Sequence, residues 1–171
     1  GKERRGGDIA LDDGSVPSTE VNVSDTSPHT GDVLDRNFAI YDNADQIELI
    51  KRSMTEVDVD PKQYAPRAVL SHISSAKSQL IDVEGFAIKK ESYFDEIVLR
   101  VYERYEQLLA QSSAVDFDDL LLKTYSLFKQ FPDIAGKYQS RYVHFMIDEF
   151  QDTNVAQYAI AKQLADTYRN L

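Results

Sequence analysis

The sequence predicts a mainly α-helical protein in which a helical domain runs into one short β-strand and a closing helix of α/β type. Three observations carry this expectation. Apolar residues recur at helical spacing through most of residues 43–131. A single β-rich run, Tyr142-Val143-His144-Phe145-Met146-Ile147, breaks that rhythm. An acidic stretch follows the run at once, and another helical pattern follows the stretch.

Residues 1–37 are rich in Gly, Ser, Thr, Pro and Asp, hold neither a helical nor a strand period, and are expected to form a flexible N-terminal segment. The chain turns apolar at Phe38-Ala39-Ile40-Tyr41, and Asp42 can cap a helix that buries Ile47, Ile50 and Met54. Asp60-Pro61 and Ala65-Pro66 each set proline at a first helical position, so two more helices are expected, the first of them short. The second carries an apolar stripe of Val69, Leu70, Ile73 and Ala76. Residues 80–90 contain Gly85 and no clear period, and read as a loop.

Residues 92–110 give the strongest helical pattern, with Phe94, Ile97, Val98, Val101, Tyr105, Leu108 and Leu109 on one side. Asp116, with Asp119 three residues on, offers the cap of a further helix whose expected buried face is Phe117, Leu120, Leu121, Tyr125 and Phe128. The pattern stops at Phe131-Pro132. Near-continuous apolarity over 142–147 suits a parallel strand covered on both faces, expected to be the only strand. Val155, Tyr158, Ala159, Ala161, Leu164 and Tyr168 mark a closing helix capped by Thr153 or Asn154.

Composition narrows the function. With no cysteine there is no disulfide, thiolate metal site or cysteine nucleophile, and His29, His72 and His144 have no metal-ligand spacing. No apolar run is long enough to cross a bilayer and the first residues are not signal-like, so a cytoplasmic location is expected. The net charge of -10 weighs against a large nonspecific nucleic-acid surface, because such affinity rests on Lys and Arg neutralising phosphates. Residues 1–37 hold eight acids and four bases, which leaves -6 on the remainder.

The chemistry concentrates in Ile147-Asp148-Glu149-Phe150-Gln151-Asp152-Thr153-Asn154. A buried strand ending in two acids delivers both to the carboxyl edge of a parallel sheet, where open α/β folds bind ligands. Adjacent strand residues face opposite ways, so both acids can serve one phosphate only where the backbone turns. In nucleotide hydrolysis the first acid of such a pair can hold magnesium while the second accepts a proton from the attacking water. A bare Asp-Glu pair is more often two solvated loop acids; the longer string is more specific.

That string, followed by Gln157, resembles motif II, the Walker B element, of the UvrD/PcrA/Rep-like superfamily 1A DNA helicases. Three upstream stretches agree in order and spacing with the same family: Asn37-Phe38-Ala39-Ile40-Tyr41-Asp42, Ile73-Ser74-Ser75-Ala76-Lys77 and Val115-Asp116-Phe117-Asp118-Asp119-Leu120-Leu121. The resemblance implies a helical 1B-type domain over residues 38–138 and a partial RecA-like 1A segment over residues 139–171. It implies a fragment of an ATP-dependent helicase that moves 3'-to-5' on single-stranded DNA, with ATP and Mg2+ as cofactors. By the same resemblance Glu149 is the catalytic base, Asp148 the magnesium-associated acid, and Gln151 and Asp152 nucleotide-site residues. Implied partners are single-stranded DNA, DNA junctions and the remaining helicase domains. Arg67, His72, Lys77, Lys89, Lys90 and Tyr93 become candidate DNA contacts, whereas Tyr102, Tyr105 and Tyr125 lie on or beside apolar faces and are expected in the core.

No Gly-x-x-x-x-Gly-Lys-Thr/Ser loop occurs in the 171 residues, so the isolated chain is expected not to hydrolyse ATP. Strand 142–147 is then expected to have unpaired edges, open to self-association. Two other readings stand beside the helicase one. The acidic balance suits a noncatalytic helical interaction module, and Asp148, Glu149 and Asp152 could serve a carboxylate metal hydrolase.

Overall fold

The computed structural model describes residues 37–170, and the expected flexible segment lies, apart from Asn37, outside the described residues. Seven helices and one pair of short strands form among them. The order is β1 (Ala39–Tyr41), α1 (Asn43–Glu56), α2 (Pro66–Ser78), α3 (Val83–Lys89), α4 (Tyr93–Gln111), β2 (Ala114–Asp116), α5 (Phe117–Gln130), α6 (Pro132–Arg141) and α7 (Val155–Ala165), with a 3-10 turn at Phe150–Asp152.

Four of these helices start on the same local device. Asp42, Ser92, Asp116 and Asn154 each accept a hydrogen bond from the backbone N–H three residues on, and the side chains there, Asp45, Asp95, Asp119 and Gln157, accept the N–H of the cap residue in return. Each reciprocal pair satisfies two of the donors a helix start leaves open. Helices α2 and α6 begin instead on Pro66 and Pro132, whose missing N–H costs nothing at that position.

The core lies between α1, α2 and α4, where Ile50, Met54, Val69, Ile73, Val98, Val101 and Leu108 are buried. Helix α4 is central: it buries eight side chains, among them Tyr102 and Tyr105. Their hydroxyls are satisfied, Tyr102 donating to the Ile81 carbonyl at 3.2 Å and Tyr105 to Asp116 Oδ2 at 3.0 Å. The end of α1 is fastened to α4 through Glu56, which takes Arg104 at 2.6 Å and Arg52 at 2.8 Å.

Several expectations are corrected. Residues 142–147 form no strand. A strand needs a ladder partner, and the strand pair among the described residues is β1–β2 elsewhere, parallel with Ile40 opposite Val115. The 142–147 backbone is tied instead to Asn170: the Phe145 N–H donates to the Asn170 carbonyl at 2.9 Å, and Asn170 Nδ2 to the Val143 carbonyl at 3.2 Å. Pro61 opens a turn rather than a short helix. Residues 83–89, read as a loop, form α3, because Asp82 caps it by accepting the Gly85 N–H at 2.8 Å. Phe117, expected inside, is 58% exposed, since the face of α5's first turn that points inward is taken by Asp119.

Candidate functional site

Residues 147–154 form a tight acidic turn that runs directly into α7. Asp148 Oδ1 accepts the Glu149 N–H at 2.9 Å, and the Glu149 carbonyl accepts the Asp152 N–H at 2.8 Å, closing the 3-10 turn. Glu149 stands at φ 49° and ψ 42°, in the left-handed region. A non-glycine residue there costs roughly 1–2 kcal/mol, and such backbone concentrates at functional sites. The Gln151 side-chain amide donates to Glu149 Oε2. Phe150 meets Tyr158 edge-on at 6.2 Å, holding the turn against the first turn of α7.

Asp148, Glu149 and Asp152 line one open depression of about 320 Å3, together with Ile147, Thr153, Gln157 and Ala161. Gln151 does not line it and joins the group through its bond to Glu149. Among the described residues these three acids do not converge tightly enough to make a three-carboxylate metal site. Magnesium in nucleotide sites takes one or two carboxylates, with waters and phosphates filling the rest, so an oxygen donor set headed by Asp148 fits Mg-ATP. The depression is open to solvent.

The candidate DNA contacts separate. Lys89, Lys90 and His72 share a small pocket of about 210 Å3 beside α2 and α3. Arg67 lies in a different, broad groove with Lys51, Ser71, Ser74 and the exposed Phe117. Tyr93 is exposed. Lys77 is corrected: it is fully buried and faces no DNA surface.

Its ammonium sits instead among three carboxylates, 2.5 Å from Glu106, 2.8 Å from Asp116 and 2.8 Å from Asp119. The Tyr105 and Tyr102 rings lie 5.2 and 5.8 Å away. The signal was in the sequence: Lys77 follows Ile73 by four residues on the buried stripe of α2. Burial works to lower the Lys77 pKa, but Glu106, Asp119 and Asp116 outweigh it and hold it well above the usual ammonium range. Burial pushes the Glu106 carboxyl upward against the pull of Lys77, and pushes the Tyr102 and Tyr105 hydroxyls up as well.

A pH dependence follows. Tyr102, Tyr105 and Lys77 keep their protons in the folded state where the unfolded chain, at ordinary values of 10.0 and 10.5, releases them. Their contribution is intact below about pH 10 and falls as pH rises further, by up to about 1.4 kcal/mol per pH unit for each group. Urea midpoints taken between about pH 9 and about pH 12 should fall steeply, and a flat profile would contradict the burial of these groups.

Comparison with known proteins places this geometry. The family described as the UvrD/REP helicase N-terminal domain matches residues 18–171. The chain is similar to the ATP-dependent DNA helicase PcrA of Bacillus subtilis (strain 168), with 42% identity over 138 residues, 81% of this chain and 19% of the relative. It is 40% identical to the PcrA of Leuconostoc citreum, covering 81% of this chain and 18% of that protein. The PcrA of Staphylococcus aureus (strain Mu50 / ATCC 700699) is 36% identical, again over 81% of this chain and 19% of that protein. The chain thus spans less than a fifth of the length of these relatives. With the family matched over most of its residues, the chain belongs to the UvrD/REP helicase N-terminal domain family.

Proposed function

We propose that this chain is the segment of an ATP-dependent 3'-to-5' DNA helicase that supplies its helical 1B-type insertion, residues 38–138, and the hydrolysis acids of its 1A domain, residues 139–171. The observation that carries this reading is the gathering of Asp148, Glu149 and Asp152 around one depression at the capped start of α7. Asp148 would hold magnesium. Glu149 would take the proton of the attacking water, with its carboxylate oriented by the Gln151 amide. The magnesium held there would supply positive charge to offset that developing on the transferring phosphoryl group. Asp152 extends the acidic lining toward Thr153 and Gln157. Phosphate-cradling backbone and its lysine come from outside these residues, so the chain alone does not hydrolyse ATP. A cytoplasmic location suits this role, and among the described residues no helix is long and apolar enough to cross a membrane.

In this reading single-stranded DNA and junctions meet the insertion at Lys89, Lys90 and His72, and at Arg67, with Tyr93 as an exposed ring on which a base can stack. Two measurements test it. A chimera in which the 138 matching residues of this chain replace their counterpart in the Bacillus subtilis PcrA should hydrolyse ATP in response to DNA; a folded chimera without hydrolysis overturns the reading. The isolated chain should bind a single-stranded oligonucleotide with an affinity that drops as salt rises. The net charge of -10 favours a second reading, a noncatalytic interaction module, and no binding at low salt would select it.

A further inference from the structure

The buried lysine plays no part in the hydrolysis chemistry, yet its partners are not scattered. An ammonium has three N–H donors and no acceptor, and Lys77 is met by three carboxylates drawn from three separate elements: Glu106 from α4, Asp116 from the end of β2 and Asp119 from α5. Asp116 and Asp119 are also the two halves of the box that starts α5. Asp116 Oδ1 accepts the Asp119 N–H at 2.7 Å, and Asp119 Oδ2 accepts the Asp116 N–H at 3.3 Å. Lys77 takes the remaining oxygen of each, Oδ2 of Asp116 and Oδ1 of Asp119. One turn earlier on α2, the Ser74 hydroxyl donates to Asp118 Oδ2 at 2.6 Å. Helix α2 therefore grips the first turn of α5 at three successive acidic positions.

What α5 carries makes the grip matter. Its Tyr125 and Phe128 share a groove with Val155, Tyr158, Ala159 and Lys162 of α7. The cap of α7, Asn154, stands two residues after Asp152. A contiguous run thus leads from Lys77 through the cap of α5, along α5 and across to α7, and ends at the acidic turn.

We propose that Lys77 is a positioning residue that couples the helical insertion to the acidic turn by fixing the cap of α5, on which α7 and the turn are carried. The functional meaning of this coupling rests on the helicase reading, since it joins the DNA-facing part of the chain to the hydrolysis acids. A packed helix can carry a displacement between two charge-bearing elements when its anchored end is held, and Lys77, hydrogen-bonded to Asp116 and Asp119 and ion-paired with Glu106, holds it.

Hydrogen exchange on the 171-residue chain tests the coupling directly. Lys77→Met is compared with Met54→Ala, a truncation in α1 away from this path, with urea adjusted so that both variants have equal global stability. Lys77→Met should then speed exchange about tenfold in 117–120 and 155–165 relative to Met54→Ala. Equal exchange of those segments in the two variants overturns the proposal, because a purely structural lysine gives that result. Should Lys77→Met fail to fold, Asp119→Asn weakens the Lys77 tie while an amide still fills the site, and should speed the same two segments by about threefold; unchanged exchange there overturns the proposal equally. In the PcrA chimera, Asp119→Asn should lower the DNA-stimulated kcat for ATP while leaving the KM for ATP in place. A chimera that hydrolyses no ATP counts against the helicase reading alone, whereas the exchange pattern judges the coupling without it.

Discussion

Lys77→Met is expected to cost about 3–5 kcal/mol of folding stability, the range for removing one partner of a buried charge group. Methionine comes close to filling the space, so the loss is electrostatic. Three carboxylates, Glu106, Asp116 and Asp119, would face one another with their common counter-ion gone, and Asp116 and Asp119 are almost wholly buried. Glu106→Gln should behave differently. Burial pushes the Glu106 carboxyl above its ordinary value, so its folded state favours the neutral form relative to the unfolded chain, and a neutral side chain there costs little. Urea unfolding followed by far-UV circular dichroism should therefore rank Lys77→Met far below Glu106→Gln. The Lys77→Met deficit should also narrow as pH is lowered, because burial already holds the Glu106 carboxyl above its ordinary value and its protonation removes one charge from the cluster. A loss below about 1 kcal/mol, the ceiling usual for exposed ion pairs, would mean that water reaches the ammonium.

How much of this was legible in the sequence depends on how local the cause is. The caps of α1 and α5 were readable, and that of α7 was narrowed to Thr153 or Asn154, because a capping side chain acts within a single turn. The β1–β2 pair was not: Ile40 and Val115 pair across most of the described chain, and a three-residue strand has no signature without its partner. The same physics misled at 142–147, where β-rich composition predicts a strand that only neighbouring strands can complete. Phe131-Pro132 read as the end of a helix, yet Pro132 also opens α6, proline being equally suited to both places. At the site, Asp148, Glu149 and Asp152 were legible as one motif because their chemistry is contiguous. Lys77 was misplaced for the opposite reason: a lysine on an apolar stripe announces a buried partner, but the partners lie 29 to 42 residues away and only the fold brings them together.

In the PcrA chimera, Glu149→Gln should lower ATP hydrolysis about 10²- to 10⁴-fold, the usual contribution of a general base. The substitution is a narrow one. Glutamine keeps the length and shape of glutamate, and its side-chain oxygen can still accept the Gln151 amide that Glu149 Oε2 accepts now, so the turn is left standing. The left-handed backbone at 149 is strained for either residue to a similar degree. What glutamine lacks is a basic oxygen for the proton of the attacking water. Nucleotide affinity should accordingly survive, separating loss of proton transfer from loss of the site. Asp148→Asn should give the complementary result, a raised magnesium requirement with activity largely regained at high Mg2+, because an amide oxygen is a weaker ligand for a hard cation. Undiminished hydrolysis in Glu149→Gln would remove Glu149 as the base. Equal sensitivity of both variants to Mg2+ would recast the pair as joint metal ligands, the arrangement of a carboxylate metal hydrolase, whose acids should then bind Mn2+ in the isolated chain without nucleotide.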